Sequence, residues 1–295
     1  MAYVTLNCPW NYYVAVCETA RPLVSLSIST TANQAADLIV KNSVQKSLNI
    51  VVCISPLFLY ERWQMLVTAI GIWRHYGANE VVVYYLSALE TVYRLMKAYE
   101  SSGLIRLESF PSLPSFDDNV HLFEKIEWRN QPSAYLDCLY SYRESAQYII
   151  FADPDDVLVP KLGQTYLSEF EQLFERWPDA SGFLYNRLDL EVYHDSIGKP
   201  IGEFRLDELL QNYKPRNCAP TSATKYAAIP SRIIGAWIHN SGRIVGDFVD
   251  HKISCEENSF LHFRTWFESS AQNQGTFLLL RASNLGKKVL TQFAQ

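Results

Sequence analysis

The residues of this chain best placed to do chemistry form one run, Asp153-Pro154-Asp155-Asp156, in which three carboxylates fall within four positions. Carboxylates this close repel one another unless a cation or basic groups stand nearby. A hard divalent ion bound through one or two of them, with phosphate oxygens completing its shell, is the chemistry such a cluster suits. Pro154 fixes its own φ and removes a backbone donor, so the turn is stiff. The bland alternative is a solvated turn with an Asp capping the next helix, which is what an isolated Asp-x-Asp usually is. What favours the chemical reading is the preceding segment. Tyr148-Ile149-Ile150-Phe151-Ala152 is the cleanest apolar run in the chain and reads as a strand buried on both faces.

The elements around that run alternate between the two periodicities. Asn49 to Ile54 is a short apolar strand signal closed by Ser55-Pro56. Trp63, Leu66, Val67, Ile70 and Trp73 then recur at helical spacing and Gly77 supplies a stop. Glu80 to Leu86 reads as a second strand; Val92, Leu95, Met96 and Tyr99 mark a second helix ending at Gly103; Leu104 to Phe110 reads as a third strand. Pro111 to Asn130 reads as a long loop. A helix from about Pro132 lays Tyr135, Cys138, Leu139 and Tyr142 on one face, ahead of the Tyr148 strand. Beyond the acidic run, Leu167, Phe170, Leu173, Phe174 and Trp177 predict another helix and Gly182 to Tyr185 another strand. Strand and helix thus alternate from about 48 to 186, which predicts an open, mostly parallel α/β sheet. Such sheets bind ligands beyond the C-terminal ends of their strands, where the acidic run falls. Past residue 187 the signals weaken, with a helix expected over Leu206 to Tyr213. Residues 1–47 read as a separate lead-in holding short strands at Val14 to Cys17 and Leu23 to Ile28, and 266–295 as a tail.

Bulk properties narrow the function classes. The chain has 295 residues, 48% hydrophobic and 19% charged, the composition of an ordered, core-forming protein. Its net charge of −5 disfavours a nucleic-acid partner, which calls for a basic surface. No segment reaches the roughly 18 to 20 apolar residues of a membrane span, and Met1 to Tyr13 does not read as a signal peptide. None of the six cysteines forms a C-x-x-C pair, so zinc and thioredoxin-type chemistry have no support.

Several blocks together resemble one family. YIIFADPDDVLVP (148–160), PLFLYERWQMLVTAIGIWRHYGANEVVVYYLS (56–87), YESSGLIRLESFP (99–111), QPSAYLDCLYSYRESAQ (131–147), KYAAIPSRIIGAWIH (225–239) and LHFR (261–264) are similar, in order, to glycosyltransferase family 92. The resemblance covers roughly 50 to 265 and implies a GT-A-like nucleotide-sandwich domain over 48–265. It implies transfer of galactose from UDP-galactose, with inversion, onto a glycan acceptor. It also implies a Golgi membrane protein, although this sequence carries no anchor. On this resemblance Asp153 and Asp155 are the Asp-x-Asp carboxylates, Asp156 is the adjacent acid, and Mn²⁺ is the expected ion, neutralising charge on the departing UDP. A third ligand commonly comes from the C-terminal part of such domains; His262 is the candidate and His239 the reserve. Lys225 and Arg264 could pair with phosphate. Ser55 and Glu61, after the first strand, stand where the uridine is usually met, although Glu61 could equally be a first-turn helix acid. An inverting displacement needs a general base, and Asp189 and Glu191, after the strand that follows the acidic run's helix, are the candidates. Two rival readings are a different metal-dependent phosphate-transfer enzyme and a non-catalytic binding descendant. No Walker-type glycine loop supports the first, and the intact acid pair speaks against the second.

Overall fold

A computed structural model describes residues 14–15, 17, 25–29, 31, 35–110, 130–194, 213–215, 218 and 223–268. The hinge of the architecture is β3 (Leu48–Leu57), whose alternate side chains feed two different cores. Ile50, Val52 and Ile54 pack on one face of the sheet, with α1 (Trp63–His75), α2 (Glu90–Ser101) and the helix Tyr166–Arg176. Val51 and Cys53 pack on the other, against the helix Gln131–Tyr142. This is why the strand reads as an unbroken apolar run: both faces are covered. Burying side chains of this kind contributes about 1.5–3 kcal/mol each.

Beside β3 lie β4 (Glu80–Tyr85) and β5 (Arg106–Ser109) on one flank. On the other flank are β6 (Ala146–Ala152), β11 (Lys225–Ala228), β8 (Ala180–Tyr185) and the edge strand β12 (Val249–Ile253). The helix before β6 is α3 (Gln131–Tyr142) and the one before β8 is α4 (Tyr166–Arg176). The pairings β3–β4, β4–β5, β3–β6 and β12–β8 are parallel, whereas β11 is antiparallel to both of its neighbours. Six strands therefore run the same way, and their C-terminal ends share one edge of the sheet. The reversed β11 brings its first residue, Lys225, to that same edge. The Tyr148 strand is interior, as its sequence predicted.

Helix ends match their signals. Gly77 and Gly103 carry positive φ, 98° and 68°, just past α1 and α2. The four apolar residues predicted to share a face of α2 are all buried, as are those of α3. At α4, Thr165 and Ser168 form a capping box.

A second sheet, ordered β10-β9-β13-β7, was not legible in the sequence. Its strands are β7 (Asp156–Leu158), β9 (Arg187–His194), β10 (Tyr213–Pro215) and β13 (Phe260–Glu268). The expected helix over Leu206 to Tyr213 lies almost wholly outside the described residues, as does the Pro111 to Asn130 loop; Tyr213 itself opens β10. In the lead-in, Val14 and Cys17 belong to no strand, while β1 (Leu26–Ser29) pairs with an unforeseen β2 (Ala35–Leu38). Two disulfides, Cys53–Cys138 and Cys218–Cys255, staple β3 to α3 and the segment just past β12 to residue 218. No helix among the described residues is long and apolar enough to cross a membrane.

Candidate active site

The acidic run turns because of its own residues. Asp156 N–H donates to the Asp153 carbonyl at 3.0 Å, closing a β-turn with Pro154 at its second position, where a fixed φ suits it. The turn carries the chain out of the large sheet at the end of β6 and into the small one at β7. After α4 and β8 the chain makes the same crossing again, leaving the large sheet at Asn186 and entering β9 at Arg187. β13 then lies between β7 and β9, antiparallel to the first and parallel to the second. Its register sets His262 opposite Asp156 on one side and opposite Asp189 on the other. Directly paired residues share a face, so three separate segments deliver an acid, an imidazole and an acid in a row.

Ligand atoms of Asp155, Asp156 and His262 all lie within 4.8 Å of one another. His262 Nε2 is 3.4 Å from Asp155 Oδ2, and His262 Nδ1 is 2.7 Å from Asp189 Oδ1. Asp153 faces elsewhere. Its Oδ2 is 2.7 Å from Lys225 Nζ, its Oδ1 accepts from Gln131 Nε2 at 2.6 Å, and Ser55 also hydrogen-bonds to it. Asp156 is wholly buried. One of its oxygens accepts from Arg187 Nε at 2.9 Å; the other, Oδ2, stands 3.7 Å from Lys225 Nζ and has no hydrogen-bond partner.

The ionisations follow from this. Burial opposes the charged form of Asp153, but Lys225 and Arg187 outweigh it and hold the carboxyl well below its ordinary range. Burial pushes Asp156 up, and the charges of Asp155 and Asp153 add to the push against Lys225 and Arg187, leaving it at about 7. For His262, burial disfavours the imidazolium, yet hydrogen bonds to Asp155 and Asp189 and the charge of Asp156 raise its pKa above the ordinary value. A buried carboxylate oxygen without a donor beside a second acid and an imidazole is what a cation would complete, so the donor set fits a divalent ion.

The expected site residues are thus only partly assembled as expected. Asp155 and His262 converge, and Asp156 rather than Asp153 is the third member of the cluster. Ser55 and Lys225 hold Asp153. The reserve ligand His239 is turned away, with Nδ1 2.9 Å from the Thr224 carbonyl, and burial lowers its pKa. Glu61 is exposed and precedes α1, whose first turn contains no acid, so it is not the first-turn helix acid of the alternative reading. Asp189 lies on His262, and Glu191 is half-buried two residues further along β9. The Arg264 side chain lies outside the described residues. Arg187, Gln131 and Tyr60 were missed. Arg187 had a signal in the alternation of Arg187, Asp189 and Glu191 with Leu188, Leu190 and Val192. Tyr60 had none: its hydroxyl is buried without a partner, and burial and the charge of Asp155 raise its pKa.

Similarity to known proteins agrees with this geometry. The profile of glycosyltransferase family 92 matches residues 49–295. The chain is 34% identical over 268 residues to glycosyltransferase family 92 protein F59C6.8 of Caenorhabditis elegans, covering 88% of this chain and 50% of that protein. To protein C33H5.2 of the same family and organism it is 31% identical, covering 78% and 45% respectively. The chain therefore spans about half the length of the curated relatives it matches. Among solved structures it is similar to S. aureus TarS 1-349 in complex with UDP, at 11% identity and a TM-score of 0.33 over 62% of this chain and 47% of that one. It is also similar to glucosyl-3-phosphoglycerate synthase from Mycobacterium tuberculosis, at 14% identity and a TM-score of 0.32 over 84% and 79%. Those structural likenesses are loose, and the fold is read from this chain's own strand order. The family profile and the two relatives agree with the acid-rich edge of a mostly parallel sheet: this chain belongs to glycosyltransferase family 92.

Proposed function

We propose that this chain moves galactose from UDP-galactose onto a hydroxyl of a glycan acceptor, with inversion and with a divalent ion, Mn²⁺ the first choice, held by Asp155, Asp156 and His262. The observation that carries the reading is the convergence of those three side chains at the C-terminal edge of the large sheet, around an Asp156 oxygen that lacks a donor. The sugar itself and the inverting outcome are carried over from the family resemblance. When bound, the ion supplies positive charge at the diphosphate.

The protein's own groups account for the remainder. Ser55 and Gln131 hold Asp153 in place beside Lys225. Lys225 and Arg187 offset part of the charge of three acids, so the loop keeps its shape before any ligand arrives. In the displacement the acceptor oxygen bonds to the anomeric carbon as the bond from that carbon to the UDP oxygen breaks. The bonding pair leaves with UDP, and the acceptor's proton passes to a carboxylate of β9, where Asp189 and Glu191 are the candidates. The same reading places the chain in the Golgi lumen, and two disulfides suit an oxidising compartment. The test is UDP release from a panel of UDP-sugars with Mn²⁺ present and a glycan acceptor supplied, with the anomeric configuration of the product read by NMR. UDP-galactose turned over to a β-galactoside is the expected result. Equal turnover of all donors, or an α-linked product, would overturn the specific reading.

A further inference from the structure

Asp189 does not stand as a free acid at the sheet edge. Its Oδ1 is 2.7 Å from His262 Nδ1, and the opposite ring nitrogen, Nε2, is the one turned toward Asp155 at 3.4 Å. The contact is built into the fold rather than made by a loose side chain, because the parallel register of β9 and β13 pairs these two residues directly. On its other side β13 is equally fixed, with His262 opposite Asp156 and Phe263 N–H donating to the Asp155 carbonyl at 2.8 Å. An imidazole so placed has no choice of roles. Nδ1 must carry the hydrogen that the Asp189 carboxylate accepts, so Nε2, which faces the acid cluster, is the ring nitrogen left to bind a cation, giving up any hydrogen of its own when it does. A carboxylate that orients a ligating histidine in this way fixes its tautomer and raises its basicity as a ligand.

We propose that Asp189 is a positioning residue acting through His262, fixing the Nδ1–H tautomer that presents Nε2 to the cation, and that it is not the general base. The inference rests on the reading of Asp155, Asp156 and His262 as the cation site. It leaves Glu191, two residues along the same face of β9, as the carboxylate that accepts the acceptor's proton.

The experiment uses the whole chain with UDP present. Mn²⁺ affinity is measured by calorimetry for wild type, Asp189→Ala, Asp189→Asn, His262→Ala and the Asp189→Ala/His262→Ala double variant, with melting temperature as the control for folding. In parallel, ¹⁵N shifts of the imidazoles are recorded without metal, the His262 signal being identified by its loss in His262→Ala. Asp189→Ala is expected to weaken Mn²⁺ by about 10- to 100-fold. It should also move the His262 signal toward the Nε2–H tautomer. Asp189→Asn keeps a carbonyl acceptor and should lie between the two, which also covers the case in which the alanine variant fails to fold. In the His262→Ala background, removing Asp189 should change Mn²⁺ affinity no further. If His262→Ala weakens Mn²⁺ while both Asp189 variants keep wild-type affinity and tautomer, the positioning role is wrong and the cation site stands. If His262→Ala leaves Mn²⁺ affinity unchanged, the cation site itself is wrong, and this inference goes with it.

Discussion

Replacing Lys225 by methionine isolates what a single buried cation does for the acidic turn. Lys225 is 1% exposed, and its ammonium lies 2.7 Å from Asp153 and 3.7 Å from Asp156. At an effective dielectric of about 20 those separations correspond to roughly 6 and 4.5 kcal/mol of attraction. Much of this is offset by the cost of taking the ammonium out of water, which methionine does not incur. What remains is the cost of leaving two acids short of a counter-charge, about 3–5 kcal/mol when one partner of a buried pair is removed. Arg187 still holds Asp156 at 2.9 Å, which points to the lower end of that range. We therefore expect Lys225→Met to lose about 3 kcal/mol at pH 8, or about 6–12 °C in Tm for a domain of this size. The pH dependence has a definite sign. Asp153 is held below its ordinary 3.8 in the folded wild type, so its contribution to stability is fully present between pH 6 and 8. Asp156 already stands at about 7, and loss of Lys225 moves both acids upward, so protonation relieves the variant as pH falls. The gap between wild type and Lys225→Met should narrow from pH 8 to pH 6. Urea denaturation at the two pH values measures it. A loss below 1 kcal/mol at pH 8, or a gap that widens toward pH 6, would refute the reasoning.

Two further outcomes follow from the same contacts. Asp155→Ala removes a side chain whose partner is His262 at 3.4 Å but keeps the backbone carbonyl that Phe263 uses, so melting should shift by no more than about 1 kcal/mol. UDP affinity in that variant should no longer respond to Mn²⁺, as titration with and without the ion would reveal; a wild-type response would remove Asp155 from the site. Glu169 is buried and accepts from Lys161 N–H at 2.6 Å, Leu162 N–H at 3.2 Å, Tyr185 Oη at 3.1 Å and Asn258 Nδ2 at 2.7 Å. Glu169→Gln turns an amide donor against these donors and should cost about 1–3 kcal/mol. Burial raises the Glu169 pKa above its ordinary 4.5, so the wild type loses stability as pH rises through that window and the variant does not. Denaturation between pH 4.5 and 7 should therefore show the gap narrowing as pH rises, and a widening gap would contradict the assignment.

The interior strands and the helices packed on them were legible because each announces itself locally. Tyr148 to Ala152 is apolar on both faces, and Val92, Leu95, Met96 and Tyr99 recur at a helical period, so neither needs knowledge of a partner. The turn at Asp153 was legible for the same reason, since Pro154 and its neighbours specify it within four residues. The small sheet was not. β7 is three residues long, and the alternation of Arg187, Asp189 and Glu191 with Leu188, Leu190 and Val192 suits a strand but says nothing of which strands β9 pairs with. Which acid joins Asp155 and His262 as the third member was equally out of reach. Asp153, Asp155 and Asp156 are equivalent as residue types, and spacing alone favours the outer pair of Asp-x-Asp. The choice falls to Asp156 because β13 pairs with β7 on one side and β9 on the other, while the reversed β11 brings Lys225 to Asp153. Local sequence determined that acids would gather at the end of a buried strand. Pairings between segments about a hundred residues apart decided which of them meets an imidazole and which a lysine, because register is a property of two strands and is written in neither alone.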